Sequence, residues 1–283
     1  MSGRMRIVDR LVELIRDTSS SLPRDVEAAI AAARGRERSA SAKMVLSSIL
    51  ENVRLARRKG TPLCQDTGTL AFYVDESLRR SVTREAISKA VAAATGLGYL
   101  RRNTIDSVTG LSHDDNVCEG APVVHYCRRD VPRSVSLLMK GGGSENMSRQ
   151  YSLPDAALGA GRDLEGVRRC VLDAVARAQG FGCAPGILGV CIGGDRATAF
   201  ETAKEQLLRP LRGDRNGDAK LAALERTLLK EANSLGIGPM GLGGRTTLLG
   251  VKIAARPRVP ASFFVTVAYM CWAARRGSIV VSG

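Results

Sequence analysis

Gly180-Phe181-Gly182-Cys183-Ala184-Pro185-Gly186-Ile187-Leu188-Gly189-Val190-Cys191-Ile192-Gly193-Gly194-Asp195-Arg196-Ala197-Thr198 is the stretch on which the reading of the fold turns. It opens as a loop, with glycines and a proline around one thiol, and passes into an apolar run of strand length from Ile187 to Ile192. Gly193 and Gly194 permit a sharp reversal, and Asp195 is a natural N-cap for a helix reaching Leu208. Loop, buried strand, tight turn and helix in that order predict a sheet covered by helices. Cys191, inside the apolar run, reads as a buried thiol, whereas the glycines and proline flanking Cys183 predict an exposed loop position.

Working outward, similar short apolar runs at Thr69 to Val74, Val123 to Cys127, Val135 to Met139, Thr246 to Ala254 and Phe263 to Met270 predict further strands. Asp130 to Pro132, between two of these runs, suggests a hairpin. Asp163 to Gln179 and Asp218 to Leu235 read as helices. Upstream, Ile7, Val8, Leu11, Leu14 and Ile15 recur at helical spacing, a second helical run opens at Pro23 and ends near Gly35, and a third carries Met44, Ile49, Leu50 and Val53 before Gly60. The expectation is a mixed α/β (α+β) protein with no obvious repeat: a helical N-terminal segment, 1–60, belonging to the same domain as a mixed α/β region, 61–283.

The 283 residues are 44% hydrophobic, enough for a buried core, and carry 30 glycines but only 4% aromatics. The formal net charge of +14 suits a small dianion, an acidic partner or nucleic acid equally well by itself. The basic residues are scattered, the densest group being Arg54, Arg57, Arg58 and Lys59, and no aromatic stacking platform accompanies them, which disfavours nucleic acid. No apolar run approaches the roughly 20 residues of a membrane span, and the start MSGRMRIVDRLVELI reads as an amphipathic helix rather than a signal peptide, so a cytoplasmic protein is expected. Seven cysteines, an odd number in such a chain, argue for free thiols and ligands rather than a disulfide framework.

Reactive side chains concentrate in three loops. Pro62-Leu63-Cys64-Gln65-Asp66-Thr67-Gly68 gathers a thiol, an amide, a carboxylate and a hydroxyl at the entry to a strand; alone, it would read as a buried cysteine beside a capping aspartate. Lys140-Gly141-Gly142-Gly143-Ser144-Glu145-Asn146-Met147 follows a strand, and its consecutive glycines allow backbone N–H groups to converge on a carboxylate or phosphate. The spacing is not that of a Walker P-loop, because the lysine precedes the glycines. The third is the Cys183 loop. Beyond it, Leu235 to Thr247 is glycine-rich enough either to cradle a ligand or to cover a subunit interface, and a strand ends at Tyr269-Met270-Cys271-Trp272.

CQDTG at 64–68, KGGGSENM at 140–147, GVCIGGDRATA at 189–199, LGIGPMGLGGRTTLLGVKI at 235–253 and CWAARRG at 271–277 together resemble the α subunit of class I, iron-dependent fumarate hydratases, in the same order over about residues 5–277. The resemblance implies a 4Fe-4S cluster on Cys64, Cys183 and Cys271, held by three converging loops, with three ligands for four irons. An iron left open in this way can act as a Lewis acid on a substrate hydroxyl and carboxylate. Gln65, Asp66, Arg101, Gly143 and Asn146 match the family's substrate pocket, Arg101 as a bidentate carboxylate clamp; without the match, Arg101 would read as a solvated charge at a helix end. Lys140 is left outside the site.

The resemblance further implies reversible hydration of fumarate to malate, a catalytic base on a separate β subunit, and an α–β heterodimer or a dimer of heterodimers. Two positions depart from the pattern: Arg258-Val259-Pro260 stands where relatives usually have Arg-His-Pro, and Ala184 replaces a common proline. Valine can neither hydrogen-bond nor carry a proton. The alternatives are the α subunit of L-tartrate dehydratase, which shares the three cysteines, and a non-catalytic iron-sulfur protein.

Overall fold

The computed structural model describes residues 2–281, so Met1, Ser282 and Gly283, at the outer ends of the segments 1–60 and 61–283, lie outside the described residues. The helices are α1 (Ser2–Ser20), α2 (Arg24–Arg36), α3 (Ala40–Lys59), α4 (Arg84–Gly96), the single turn α5 (Gly142–Glu145), α6 (Leu164–Ala178), α7 (Arg196–Gln206) and α8 (Ala219–Ser234). The strands are β1 (Thr69–Asp75), β2 (Val123–Cys127), β3 (Ser134–Lys140), β4 (Arg149–Ser152), β5 (Gly186–Gly193), β6 (Leu248–Arg256), β7 (Phe264–Met270) and β8 (Arg275–Val280). The mixed α/β class expected from the sequence is the class observed.

Helix starts are set by side-chain caps. Asp163 accepts from the Gly166 N–H at the start of α6, Asp195 from Ala197 and Thr198 at α7, and Asp218 from Lys220 and Leu221 at α8, each satisfying N–H groups that a helix leaves orphaned in its first turn.

The chain folds into two compact units. One comprises the stretch up to Pro23, Glu51–Gly142 and the stretch from Ala273; the other comprises Arg24–Leu50 and Gly143–Trp272. In the first, a sheet of order β2-β1-β3-β8 packs with α1 and α4 around Leu11, Ile15, Phe72, Ile87, Leu137 and Met139. In the second, a sheet of order β4-β7-β5-β6 packs with α6, α7 and α8 around Val171, Val190, Leu228, Val251 and Val267.

The hairpin suggested at Asp130 to Pro132 does not form. β1 lies between β2 and β3, parallel to the former (Ala71↔Val123) and antiparallel to the latter (Thr69↔Lys140). Every residue of β1 after Thr69 is buried, which favours a central place with neighbours on both sides, and the parallel β1–β2 pair takes the long crossover that α4 supplies. β4 and β8 carried no strand signal: RQYS is short and polar, and RRGSIV begins with two arginines and a glycine.

The two sheets share one pattern. A central strand, β1 or β5, is followed through helix by a parallel edge strand, β2 or β6, and then by an antiparallel strand, β3 or β7, on its other side. The fourth strands are exchanged: β4 follows β3 in the chain yet pairs with β7, and β8 follows β7 yet pairs with β3.

Close approach of α7 to β5 rests on Gly189, where a Cβ would lie 2.0 Å from the Ala203 carbonyl oxygen and 3.1 Å from Leu207. Gly189→Ala should therefore force the helix off the sheet and cost about 2 kcal/mol or more by overpacking, read as a lower midpoint in urea with an unchanged slope.

Candidate functional site

Antiparallel pairing puts the start of one strand beside the end of its neighbour. The Thr69↔Lys140 register thus brings the Cys64–Gly68 loop, which enters β1, alongside the glycines that leave β3. The contact is close: Gly68 has φ +75°, and a Cβ there would fall 2.3 Å from the Lys140 carbonyl oxygen. The Asp66 carboxylate lies against Gly141, where a Cβ would come within 2.9 Å of its Oδ2. No residue with a side chain fits at either glycine without displacing backbone or the carboxylate.

Around this loop Cys64 and Asp66 are half-buried and Gln65 is exposed. Asn103 Nδ2 donates to the Gln65 carbonyl at 3.5 Å, and Arg275 Nη2 donates to the Asp66 carbonyl at 2.7 Å. Arg101 is exposed, and its guanidinium has no hydrogen-bond or ion-pair partner among the described residues. Its backbone is anchored instead by Asn116, whose Nδ2 donates to the Arg101 carbonyl at 2.7 Å while its Oδ1 accepts from the N–H groups of Asn103 and Thr104. Asn116 is buried at φ +61°, a region asparagine tolerates better than most residues. Lys140 is buried. Asn116 and Arg275 escaped the sequence reading because each acts through backbone carbonyls far away in the chain.

The second unit repeats the arrangement. The Ile187↔Met270 register sets the loop entering β5, which holds Cys183, beside the end of β7, which leads to Cys271. The Trp272 N–H donates to the Cys183 carbonyl at 3.2 Å. Cys183 is exposed with φ +51°, as the flanking glycines suggested, and Cys271 is half-buried. Gly143 and Asn146, on the one-turn α5 and just after it, are exposed.

Tyr269, not singled out from sequence, is the organising side chain of this loop. Its ring is fully buried and occupies the space that side chains at Gly182 and Gly186 would take, a Cβ at either meeting the ring within 2.6 Å. Burial raises the Tyr269 phenol above its ordinary range, and the neighbouring Cys271 and Cys183 add to the rise. Both thiols therefore flank one buried ring.

The glycine-rich stretch 235–247 packs on the same loop. The Met240 N–H donates to the Ala184 carbonyl at 3.0 Å, and a Cβ at Gly180 would lie 2.4 Å from the Met240 carbonyl oxygen. Its glycines serve this close approach. Ala184 is completely buried. Val259 is 64% exposed, in a turn shaped by Arg258, which donates to the carbonyls of Val259, Pro260 and Ser262 and stacks on Phe263 at 4.6 Å.

None of the seven cysteines forms a disulfide. Among the described residues no group of three or more His, Cys, Asp or Glu side chains forms a site for a metal ion, and no helix is long and apolar enough to cross a membrane.

With these loops placed, comparison with known proteins identifies the family. The sequence profile of the fumarate hydratase (Fumerase) family matches residues 8–280, and the chain belongs to that family. It is 47% identical over 278 residues to a provisionally named class I fumarate hydratase of Geobacillus stearothermophilus, an alignment covering 96% of this chain and 54% of that protein. It is 36% identical over 280 residues to a provisionally named L(+)-tartrate dehydratase subunit alpha of Methanocaldococcus jannaschii, covering 96% of both chains. The L(+)-tartrate dehydratase subunit alpha of Escherichia coli K12 is 29% identical over 289 residues, covering 99% of this chain and 93% of the relative. The chain thus spans about half the length of the Geobacillus relative and nearly all of the two alpha subunits.

Burial pushes the Cys170 thiol up to about 12 and the Cys191 thiol up to about 11, so both are protonated at neutral pH, and only the thiolate is nucleophilic. On exposure to iodoacetamide at pH 7.5, peptide mass mapping should find Cys183 modified and Cys170 and Cys191 unmodified until denaturant is added.

Proposed function

We propose that this chain is the α subunit of a hydro-lyase of the class I fumarate hydratase type, carrying a 4Fe-4S cluster on Cys64, Cys183 and Cys271. The observation that supports the reading is the pairing register of each sheet, which runs the loop of Cys183 beside the strand end that leads to Cys271 and the loop of Cys64 beside Gly141 and Gly142. The donor chemistry fits such a group: the thiols form no disulfide, the Tyr269 ring fills the cradle of Gly182 and Gly186 in the loop that holds Cys183, and Asp66, two residues after Cys64, lies on Gly141.

When bound, the cluster supplies a Lewis-acidic iron for the substrate hydroxyl. The protein's own residues bind and orient. The Arg101 guanidinium, exposed and without an internal partner, clamps one carboxylate of the dianion bidentately. Gln65 and Asn146 donate amide hydrogen bonds, the Gly143 N–H adds a backbone donor, and Asp66, held against Gly141, fixes the face that the substrate meets. The negative charge that grows on the carboxylate next to the carbanionic carbon is stabilised by the same donors. A β subunit supplies the base that moves the proton at that carbon, as an α–β heterodimer or a dimer of heterodimers. The relative lengths support this division, since the Geobacillus protein is nearly twice as long as the matched region.

Fumarate is favoured by the 47% identity to the Geobacillus relative; tartrate is the second reading, because the relatives matched over nearly their whole length are named tartrate dehydratase subunits. After anaerobic reconstitution, the wild-type chain should bind four irons and four sulfides, and serine at position 64, 183 or 271 should lower that count in each case. Metal retained in all three variants would refute the ligand set. Mixed with the β subunit, the loaded chain should consume fumarate, followed by its ultraviolet absorbance, with activity at least 100-fold above that of either part; a higher kcat/KM for tartrate than for malate would select the second reading.

A further inference from the structure

The side chain of Arg275 is among the largest completely buried ones in the chain, at 1% exposure. A guanidinium is always charged, and moving such a charge out of water is costly unless a partner accepts its hydrogen bonds. Yet its Nη2 donates to the Asp66 carbonyl at 2.7 Å, while Nε and Nη1 have no hydrogen-bond partner and no carboxylate pairs with it among the described residues. By contrast Arg209 in the second unit, less buried at 20% side-chain exposure, is neutralised by Asp214 and Glu225.

The route of the side chain is also specific. Arg275 opens β8, opposite Met139 of β3, and β1 lies on the far side of β3. The guanidinium thus reaches from the start of β8 to the turn that enters β1, a strand with which β8 does not pair. It arrives directly behind Gln65 and Asp66, whose positions the proposed reaction requires. A methionine would fill the same space without charge, and replacing a buried charge by an apolar group of similar size is often neutral or stabilising. Arg275 thus adds little to stability that an apolar residue would not.

We propose that Arg275 is a positioning residue of the reaction: it pins the Gln65–Asp66 turn through the Asp66 carbonyl and holds a fixed, unneutralised positive charge behind that turn, favouring an anionic occupant there. This rests on the reading that Cys64 binds the cluster. Removing the charge makes the reduced, more negative cluster harder to reach, because net charge near a cluster sets its potential.

The full-length chain is reconstituted anaerobically as wild type, Arg275→Lys and Arg275→Met, and each is titrated redox-potentiometrically with EPR detection, alongside thermal melting and iron counting. Arg275→Met should show, at equal iron content, a reduced-to-oxidised ratio about tenfold smaller at fixed potential, which is about 59 mV for one electron. Arg275→Lys, which keeps the charge, should stay near wild type. Loss of iron from Arg275→Met with an unchanged melting midpoint would also support the role, through the pinned turn. Equal potentials in all three proteins, or loss of iron only where the fold itself collapses, would overturn it. Absence of iron from the wild type as well would instead sink the cluster reading, and the two failures are distinct.

Discussion

The antiparallel register inside each sheet is the constraint on which the site depends. A strand's first residue and its neighbour's last are fixed side by side by main-chain hydrogen bonds, so Thr69 opposite Lys140 and Ile187 opposite Met270 settle which loops meet before any side chain contributes. A slip of one residue would turn every apolar side chain of β1 or β5 to the wrong face, at the cost of the core around Phe72 or Val190. Burial therefore enforces which loop ends meet within each sheet.

Glycine then sets how tightly those loops approach. At Gly68 and Gly238 the backbone has positive φ and lies against another main-chain segment, the Lys140 carbonyl in one case and Gly243 in the other. Loops packed backbone to backbone have little room to move, unlike loops separated by side chains, so the loops holding Gly68 and Gly238 are stiff supports. The low aromatic content has a matching explanation. Where an aromatic does enter, as Tyr269 does beneath Gly182 and Gly186, it fills space that the glycines leave.

Much of this was readable in the sequence because the signals were local. The Ile187 to Ile192 run, the Gly193–Gly194 turn and the Asp195 cap became β5 and α7 with ends shifted by no more than about two residues. The exposure of Cys183 and the burial of Cys191 followed from their flanking residues. What escaped was non-local. β8 has almost no strand propensity and exists because β3 offers it an edge, and the Asp130–Pro132 turn gave no hint that β1 would separate the strands it joins. Asn116, Tyr269 and Arg275 have unremarkable sequence surroundings; their roles depend on carbonyls and glycines outside their own elements, from 15 positions away for Asn116 to 209 for Arg275. The proposed cluster thiols and substrate residues came from the family resemblance alone, since spacing leaves Cys64 and Arg101 with ordinary structural explanations.

The exchange of fourth strands has a bearing on how such a molecule comes into being. Ser134 of β3 pairs with Val280 of β8, so the first sheet waits for β4 to β8 to leave the ribosome before its border is closed. Until then the outer side of β3 offers unpaired main-chain groups to any passing strand. Nor does any single cleavage point divide the molecule into its two units, because each unit is assembled from separate stretches of the chain. Gene fusion at the ends is compatible with this weave, whereas splitting the coding sequence between β3 and β8 would require the fragments to find each other again.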